Sequence, residues 1–208
     1  VLKACPVVAA PRTREGRTLA LDIARGAMDL TGKVLLFLDF AMSRSERTLA
    51  DTHQLAARQV LEQLAAGQDV ALLTLGDVSV YSSFCYVMDL VRAAGYETVM
   101  IPGVPSFCAS AAALGRSLTE MNEPLHILPA GGHLSLPEAL ALPGTKVLMK
   151  AGRQLPQAVA ELERQGTSAL VMNCGLPDQQ LCPTLHEYQG QTGYFATLLV
   201  GKPKQGAN

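Results

Sequence analysis

LTLGDVSVYSSF, residues 72 to 83, carries an apolar, strand-like lead-in, then Gly76-Asp77, then a run of small and hydroxyl-bearing residues. A segment built only to fill a core would not break its apolar run with a glycine and an aspartate. Taken alone, the pair fits a tight turn, because glycine tolerates positive φ and aspartate side chains close local turns. It also fits a catalytic carboxylate or a loop whose backbone approaches a ligand. The neighbouring sequence sets the frame. CPVVAA (5 to 10), KVLLFL (33 to 38), DVALLTL (69 to 75) and ETVMIP (97 to 102) read as short strands. Between them, the stretch 47 to 67 spaces Leu49, Thr52, His53, Ala56, Val60 and Leu64 near the helical period and stops at Gly67. A further helix spans roughly 81 to 94 and closes on Gly95. Strands alternating with helices predict an α/β domain with a largely parallel sheet. Such sheets bind ligands in loops at the carboxyl ends of their strands, so LTLGDV and MIPGVPS (100 to 106) become two candidate loops.

After residue 116 the texture changes. LTEMNEP (118 to 124) is polar and turn-prone, and LHILPA (125 to 130) then begins a fresh set of strands with KVLMK (146 to 150), SALVMN (168 to 173) and YFATLLVG (194 to 201). PQAVAELERQG (156 to 166) is an amphipathic helix with a glycine stop. The expected organisation is two α/β domains, 1 to 117 and 118 to 208, with a cleft between them and a frayed tail KPKQGAN. The chain has no internal repeat and no low-complexity segment.

Bulk properties narrow the function classes. With 49% hydrophobic and 17% charged residues, the chain has the composition of an ordinary soluble protein. A net charge of −1, with no block of like charges, argues against a general nucleic-acid or acidic-membrane binder. The longest apolar runs are strand-sized, far short of the roughly 20 residues of a spanning helix, and no secretory signal is visible. Cys5, Cys85, Cys108, Cys174 and Cys182 form no CxxC, and His53, His126, His133 and His186 show no HxH or HExxH spacing. The expectation is reduced, mostly buried thiols, no protein-bound metal and a cytoplasmic location.

The second loop is the more unusual. In IPGVPSFCASAAALG, Pro102-Gly103 ends a strand, Pro105 restricts Val104, and Ser106 is placed to cap a helix rich in small residues. Ala109 to Ala113 permit a tightly packed core helix or a flat ligand lying alongside. No GxxxxGK[ST] and no GxGxxG occurs, so neither a nucleotide phosphate site nor a dinucleotide fingerprint is supported.

LTLGDVSVYSSF, then IPGVPSFCASAAALG, then VLMK and NCGLPDQ, together resemble the tetrapyrrole methyltransferases of cobalamin biosynthesis, over roughly residues 5 to 201. Within that family, LTLGD…YS with GVPSFCA is most similar to the C20-methyltransferases that act on precorrin-2 or cobalt-factor II. The resemblance implies two α/β domains, S-adenosyl-L-methionine as methyl donor with S-adenosyl-L-homocysteine as product, a tetrapyrrole substrate, and a homodimer. Family members open with a strand and a GxGPGD-type loop, whereas this chain begins at VLKACPVV, and Val1 to Ala4 read as the end of that loop's helix. Residue by residue, the resemblance implies cofactor contacts from Leu75, Gly76, Asp77, Val80, Pro105 and Ser106. From the second domain it implies Met149, Lys150, Asn173, Cys174 and Gly175, with Phe195 and Ala196.

A sulfonium methyl is already activated, so catalysis should be mainly alignment, and no residue is singled out as a catalytic base. A polycarboxylate substrate calls for basic partners, and Arg12, Arg14, Arg17, Arg44, Arg47 and Arg153 all follow strand ends. Tyr81, Ser82 and Ser83 either touch substrate or cap the following helix. The alternatives are a sibling enzyme methylating another tetrapyrrole position or another acceptor, and a non-catalytic tetrapyrrole or nucleoside carrier.

Overall fold

The computed structural model describes residues 1 to 12, 16, 18 to 41, 45 to 163, 168 to 191 and 193 to 201. The chain divides into two compact units, Val1–Gly103 and Val104–Asn208.

The first unit opens with a hydrogen-bonded turn, Ala4 N donating to the Val1 carbonyl at 2.8 Å. It continues through β1 (Val7–Arg12), α1 (Leu19–Ala27), β2 (Val34–Asp39), α2 (Glu46–Ala65), β3 (Val70–Leu72) and α3 (Phe84–Ala93). The sheet is parallel, in the order β2-β1-β3. Its central strand is apolar on both faces because both faces are covered. Val8 and Ala10 pack with Leu21 and Ala24 of α1, whereas Ala9 packs with α2 and α3. On α2, His53, Ala56, Ala57 and Val60 are the buried positions, the i, i+3, i+4, i+7 stripe of an amphipathic helix. Ser45 caps it, accepting from Thr48 N at 3.4 Å. Phe84, Val87 and Val91 form the matching stripe of α3.

The second unit runs α4 (Ser106–Ala113), β4 (Leu125–Pro129), α5 (Leu136–Ala141), β5 (Thr145–Met149), α6 (Leu155–Glu163), β6 (Ser168–Met172), β7 (Gln180–Cys182) and β8 (Ala196–Val200). Its sheet is mixed, in the order β4-β5-β8-β6-β7. β4 and β5 are parallel, while β8 runs antiparallel to both β5 and β6. Every residue of β6 and β8 is buried, which marks the middle of the core.

Three expectations need correction. ETVMIP forms no strand and joins no ladder, and Val99 and Ile101 are exposed at 73% and 53%; an apolar, β-branched run becomes a strand only where a neighbour pairs with it. The division between units falls before α4, not at 117 to 123, because α4 packs against β8. Only Cys5 and Cys182 are buried, Cys108 being exposed and Cys85 and Cys174 half-buried. The glycine stop expected at the end of α6 lies outside the described residues. Among the described residues, no helix is long and apolar enough to cross a membrane.

Candidate functional site

In the first unit the two loops singled out by sequence meet. β3 ends at Leu72, and the chain turns through Gly76 at φ 71° into Asp77. Both oxygens of the Asp77 carboxylate accept hydrogen bonds. Oδ1 accepts from the Ser79 backbone N at 2.8 Å and from Ser79 Oγ at 2.5 Å, and Oδ2 accepts from Gly103 N at 2.8 Å. The Ser79 hydroxyl, then the Gly103 and Ser79 amides, hold its pKa below the ordinary carboxylate value. Gly103 lies so close that a Cβ there would overlap the Gly76 carbonyl oxygen and stand 3.5 Å from Asp77 Cα. Asp77 therefore fastens one loop to the other, and Gly103 is the residue that lets them touch. Beside this junction Leu75 is exposed at 36%, and Tyr81 adopts φ 52°, a left-handed conformation costly for a bulky side chain.

The hydroxyls of this region divide their work. Ser82 Oγ, not Ser83, accepts from the first helical amide, Phe84 N, at 3.3 Å, and it also lies 3.4 Å from Thr74 Oγ1. Ser83 makes no side-chain cap, and Ser106 does not cap α4, whose N-cap position is Pro105.

In the second unit, sheet register gathers most of the residues implied on that side. Met149 pairs with Thr197, Met172 with Ala196, and Asn173 N donates to the Phe195 carbonyl at 2.9 Å. Met149, Lys150, Asn173, Cys174, Gly175, Phe195 and Ala196 thus share one end of the sheet, where β5 and β6 finish and β8 begins. Two of them are strained, Lys150 at φ 58° and Asn173 at φ 51°; such conformations persist where surrounding structure enforces them, often at functional sites. Lys150 is an exposed residue, yet desolvation lowers the pKa of its ammonium. Phe195 is exposed at 41% and meets Tyr194 edge to face, with centroids 5.2 Å apart. Ala196 is buried in the sheet. Pro105 and Ser106 begin α4, the helix packed on β8.

The arginines are less uniform. Arg12 is committed to Asp39 through Nε at 2.9 Å and Nη2 at 2.6 Å, and its guanidinium lies 5.8 Å from the Phe37 ring centre. That pairing raises the Arg12 pKa and lowers that of Asp39. Arg12 is therefore a weaker partner for a substrate carboxylate than its position after β1 suggested. Arg47 is exposed in the first turn of α2. Arg14, Arg17, Arg44 and the Arg153 side chain lie outside the described residues.

Three residues that sequence reasoning passed over belong to these loops. Gly103 is the first; its signal was the Pro-Gly at the strand end. Asp178 and Gln179 are the others. Asn173 Nδ2 donates to Asp178 Oδ2 and Gly175 N to Gln179 Oε1, both at 2.7 Å. These bonds close NCGLPDQ on itself, and the two polar residues at its end were the visible hint. Among the described residues no group of three or more His, Cys, Asp or Glu side chains gathers as a metal site would.

Residues 1–188 match the family described as Tetrapyrrole (Corrin/Porphyrin) Methylases. The chain is 35% identical over 135 residues to a protein of Methanocaldococcus jannaschii named probable cobalt-precorrin-2 C(20)-methyltransferase, covering 64% of this chain and 56% of that protein. It is 27% identical over 209 residues to the cobalt-precorrin-2 C(20)-methyltransferase of Salmonella typhimurium, covering 97% of this chain and 87% of that one. A precorrin-4 C(11)-methyltransferase of Rhodococcus erythropolis is 42% identical, but over 73 residues, 33% of this chain and 29% of the relative. Among solved structures, a cobalt precorrin-4 methyltransferase superposes with a TM-score of 0.69 at 18% identity, covering 96% of this chain and 85% of that one. A uroporphyrin-III C-methyl transferase from Thermus thermophilus, complexed with S-adenyl homocysteine, gives 0.62 at 19% identity, with 96% and 87% covered. These likenesses show that the fold is shared.

Proposed function

We propose that this chain, which belongs to the tetrapyrrole (corrin/porphyrin) methylase family, transfers a methyl group from S-adenosyl-L-methionine to C20 of precorrin-2 or its cobalt complex. The observation that carries the position is how the relatives divide. Those named for C20 match along most of the chain, whereas the C11 relative matches a short segment, though at higher identity. Breadth of match weighs more, because position on the macrocycle is read by the whole binding surface and not by one loop. Methylation at C11 is the second reading, favoured by that local identity.

The residues present suit such a donor. Leu75 and Phe195 hold large apolar side chains out to solvent at strand ends, and Gly76 and Gly103 leave bare backbone at a close junction. When bound, S-adenosylmethionine supplies an already activated sulfonium methyl group. We assign to it Leu75, Gly76, Asp77, Val80, Pro105, Ser106, Met149, Lys150, Asn173, Cys174, Gly175 and Phe195, with Ala196 through its backbone.

The chain's own contribution is position. Asp77 accepts three hydrogen bonds that tie its loop to Ser79 and Gly103; it keeps the loop rigid. Rigid presentation of donor and acceptor is worth on the order of several kcal/mol of barrier through avoided entropy loss. Tyr81, Ser82, Ser83, Arg47 and the arginines outside the described residues are assigned to the substrate, with Arg12 in a lesser role. The same reading takes the enzyme as a cytoplasmic homodimer, which light scattering of purified protein checks.

The test is calorimetric titration with S-adenosylhomocysteine, followed by anaerobic incubation of labelled donor with precorrin-2 and with its cobalt complex. Binding together with label at C20 by NMR is the expected result. A folded sample that binds no S-adenosylhomocysteine, or places the label at another carbon, overturns the reading.

A further inference from the structure

β5 ends at Met149, and Lys150 follows at φ 58°, one residue past the Met149–Thr197 pair. Gly152 and Gly175 make neighbouring left-handed turns without conformational cost. A lysine at such a turn carries a cost that a glycine would not, so the turn alone does not account for it; the side chain does. Lys33 and Lys146 show what a structural lysine looks like in this fold. Lys33 Nζ donates to the carbonyls of Lys3 and Cys5 at 3.0 and 2.6 Å, and Lys146 Nζ to those of Leu142 and Gly144, both at 2.9 Å. Lys150 stands elsewhere, at the sheet end that also carries Asn173 and Phe195.

Its setting suits an amine that gives up its charge. The residue is exposed and so open to a ligand, while desolvation disfavours the ammonium form. A sulfonium ion bound nearby acts in the same direction, because like charges favour the neutral amine. Lysine serves as a base under these conditions, whereas the permanently charged arginine does not. Among the described residues, the other titratable side chains at this end are Cys174 and Asp178 after β6, Tyr194 before β8 and His133 beyond β4. Asp178 accepts from Asn173, Tyr194 meets Phe195 edge to face, and His133 lines a cavity beside the Gly131–Gly132 turn. Lys150 is the one amine among them.

Methylation at C20 leaves a proton to remove. C20 bonds the methyl carbon as the sulfur–methyl bond breaks, and that electron pair stays on sulfur. C20 then carries hydrogen as well as methyl, and the C–H electron pair returns to the macrocycle once a base takes the proton. Resting on the methyl-transfer reading, the geometry points to Lys150 Nζ as that base. It takes the proton as a neutral amine and passes it, as ammonium, to solvent.

The test uses the full chain with Lys150→Ala and Lys150→Arg. In the free parent protein, the Lys150 side-chain NMR signal, assigned by its loss in Lys150→Arg, should titrate below the other lysines. Titration together with them, near the ordinary lysine value of about 10.4, overturns the assignment. Both variants should still bind S-adenosylhomocysteine, and in both kcat should fall about 100-fold while KM stays within about threefold of the parent. Ethylamine in the buffer should restore turnover to Lys150→Ala and not to Lys150→Arg. Lys150→Arg keeps length and charge, so it serves even where Lys150→Ala fails to fold. If Lys150→Arg methylates C20 as fast as the parent, charge and not basicity matters there, and the base assignment falls alone. A parent that transfers no methyl group to C20 overturns the methyl-transfer reading and the assignment with it.

Discussion

Replacing Gly103 by alanine tests the junction of the two loops most directly. The new methyl group would overlap the Gly76 carbonyl oxygen, a backbone atom that cannot rotate away. One loop must move, and the Gly103 N to Asp77 hydrogen bond, at 2.8 Å, is the contact that opens. Forcing a methyl into a filled site costs typically about 1–3 kcal/mol. For a unit of this size that lowers the melting temperature by roughly 4–8 °C per kcal/mol. Gly26 supplies the control, since it lies within α1 with nothing within 4 Å of a built Cβ. There the same substitution should stabilise by about 0.5–1 kcal/mol through improved helix propensity. Thermal and urea unfolding of both variants, with S-adenosylhomocysteine titration, measure stability and loop geometry together. Gly103→Ala should lose stability and at least tenfold in affinity, a 1.4 kcal/mol effect; Gly26→Ala should keep its affinity. A Gly103→Ala protein as stable and as tight-binding as the parent refutes the steric argument.

Three further outcomes follow from other parts of the chain. His53 is buried between α2 and α3, stacked on Tyr86 at 4.6 Å, and burial lowers its pKa. The unfolded state then binds the extra proton, so stability should fall as pH drops below about 6.5 and level off beneath the folded pKa; His53→Leu should remove that slope in melting curves. Asn173→Ala loses the bond to Asp178 and leaves a side chain poorly suited to φ 51°, costing about 1–3 kcal/mol. Asn173→Gly loses only the bond, so it should melt higher than the alanine variant; the reverse order would show that strain is not stored there. Leu198, fully buried in β8, should cost about 2–5 kcal/mol as Leu198→Ala in urea unfolding.

Much of the fold was legible because burial on both faces leaves an unmistakable trace. CPVVAA and SALVMN are continuous apolar runs, and both are central or near-central strands. The direction of β8 was not legible, since an apolar run reads the same whether its neighbours are parallel or antiparallel. α1 was passed over because its buried face is only Ala20, Leu21 and Ala24. The loop pair was found from its residues, and the sheet explains why Met149, Asn173 and Phe195 belong together although they are far apart in sequence. What sequence could not supply was the meeting of Gly103 with the Gly76-Asp77 turn, where Gly103 N bonds Asp77 across 26 positions. Nor could it show that Asp39 already holds Arg12, because an ion pair between adjacent parallel strands has no signature in spacing.

The place of β8 between β5 and β6 has a consequence for the order of synthesis. β4 and β5 can pair as soon as they emerge, as can β6 and β7, but no strand joins these halves into one sheet until Ala196–Val200 arrives. Translation at roughly 5–20 residues per second leaves β6 waiting about 1–5 seconds for that strand. During this interval two apolar strand edges stand open on a nascent chain. Lys150 and Asn173 acquire their fixed separation only when it ends. The ribosome, and whatever chaperone attends it, meets this protein as two half-sheets whose common end does not yet exist.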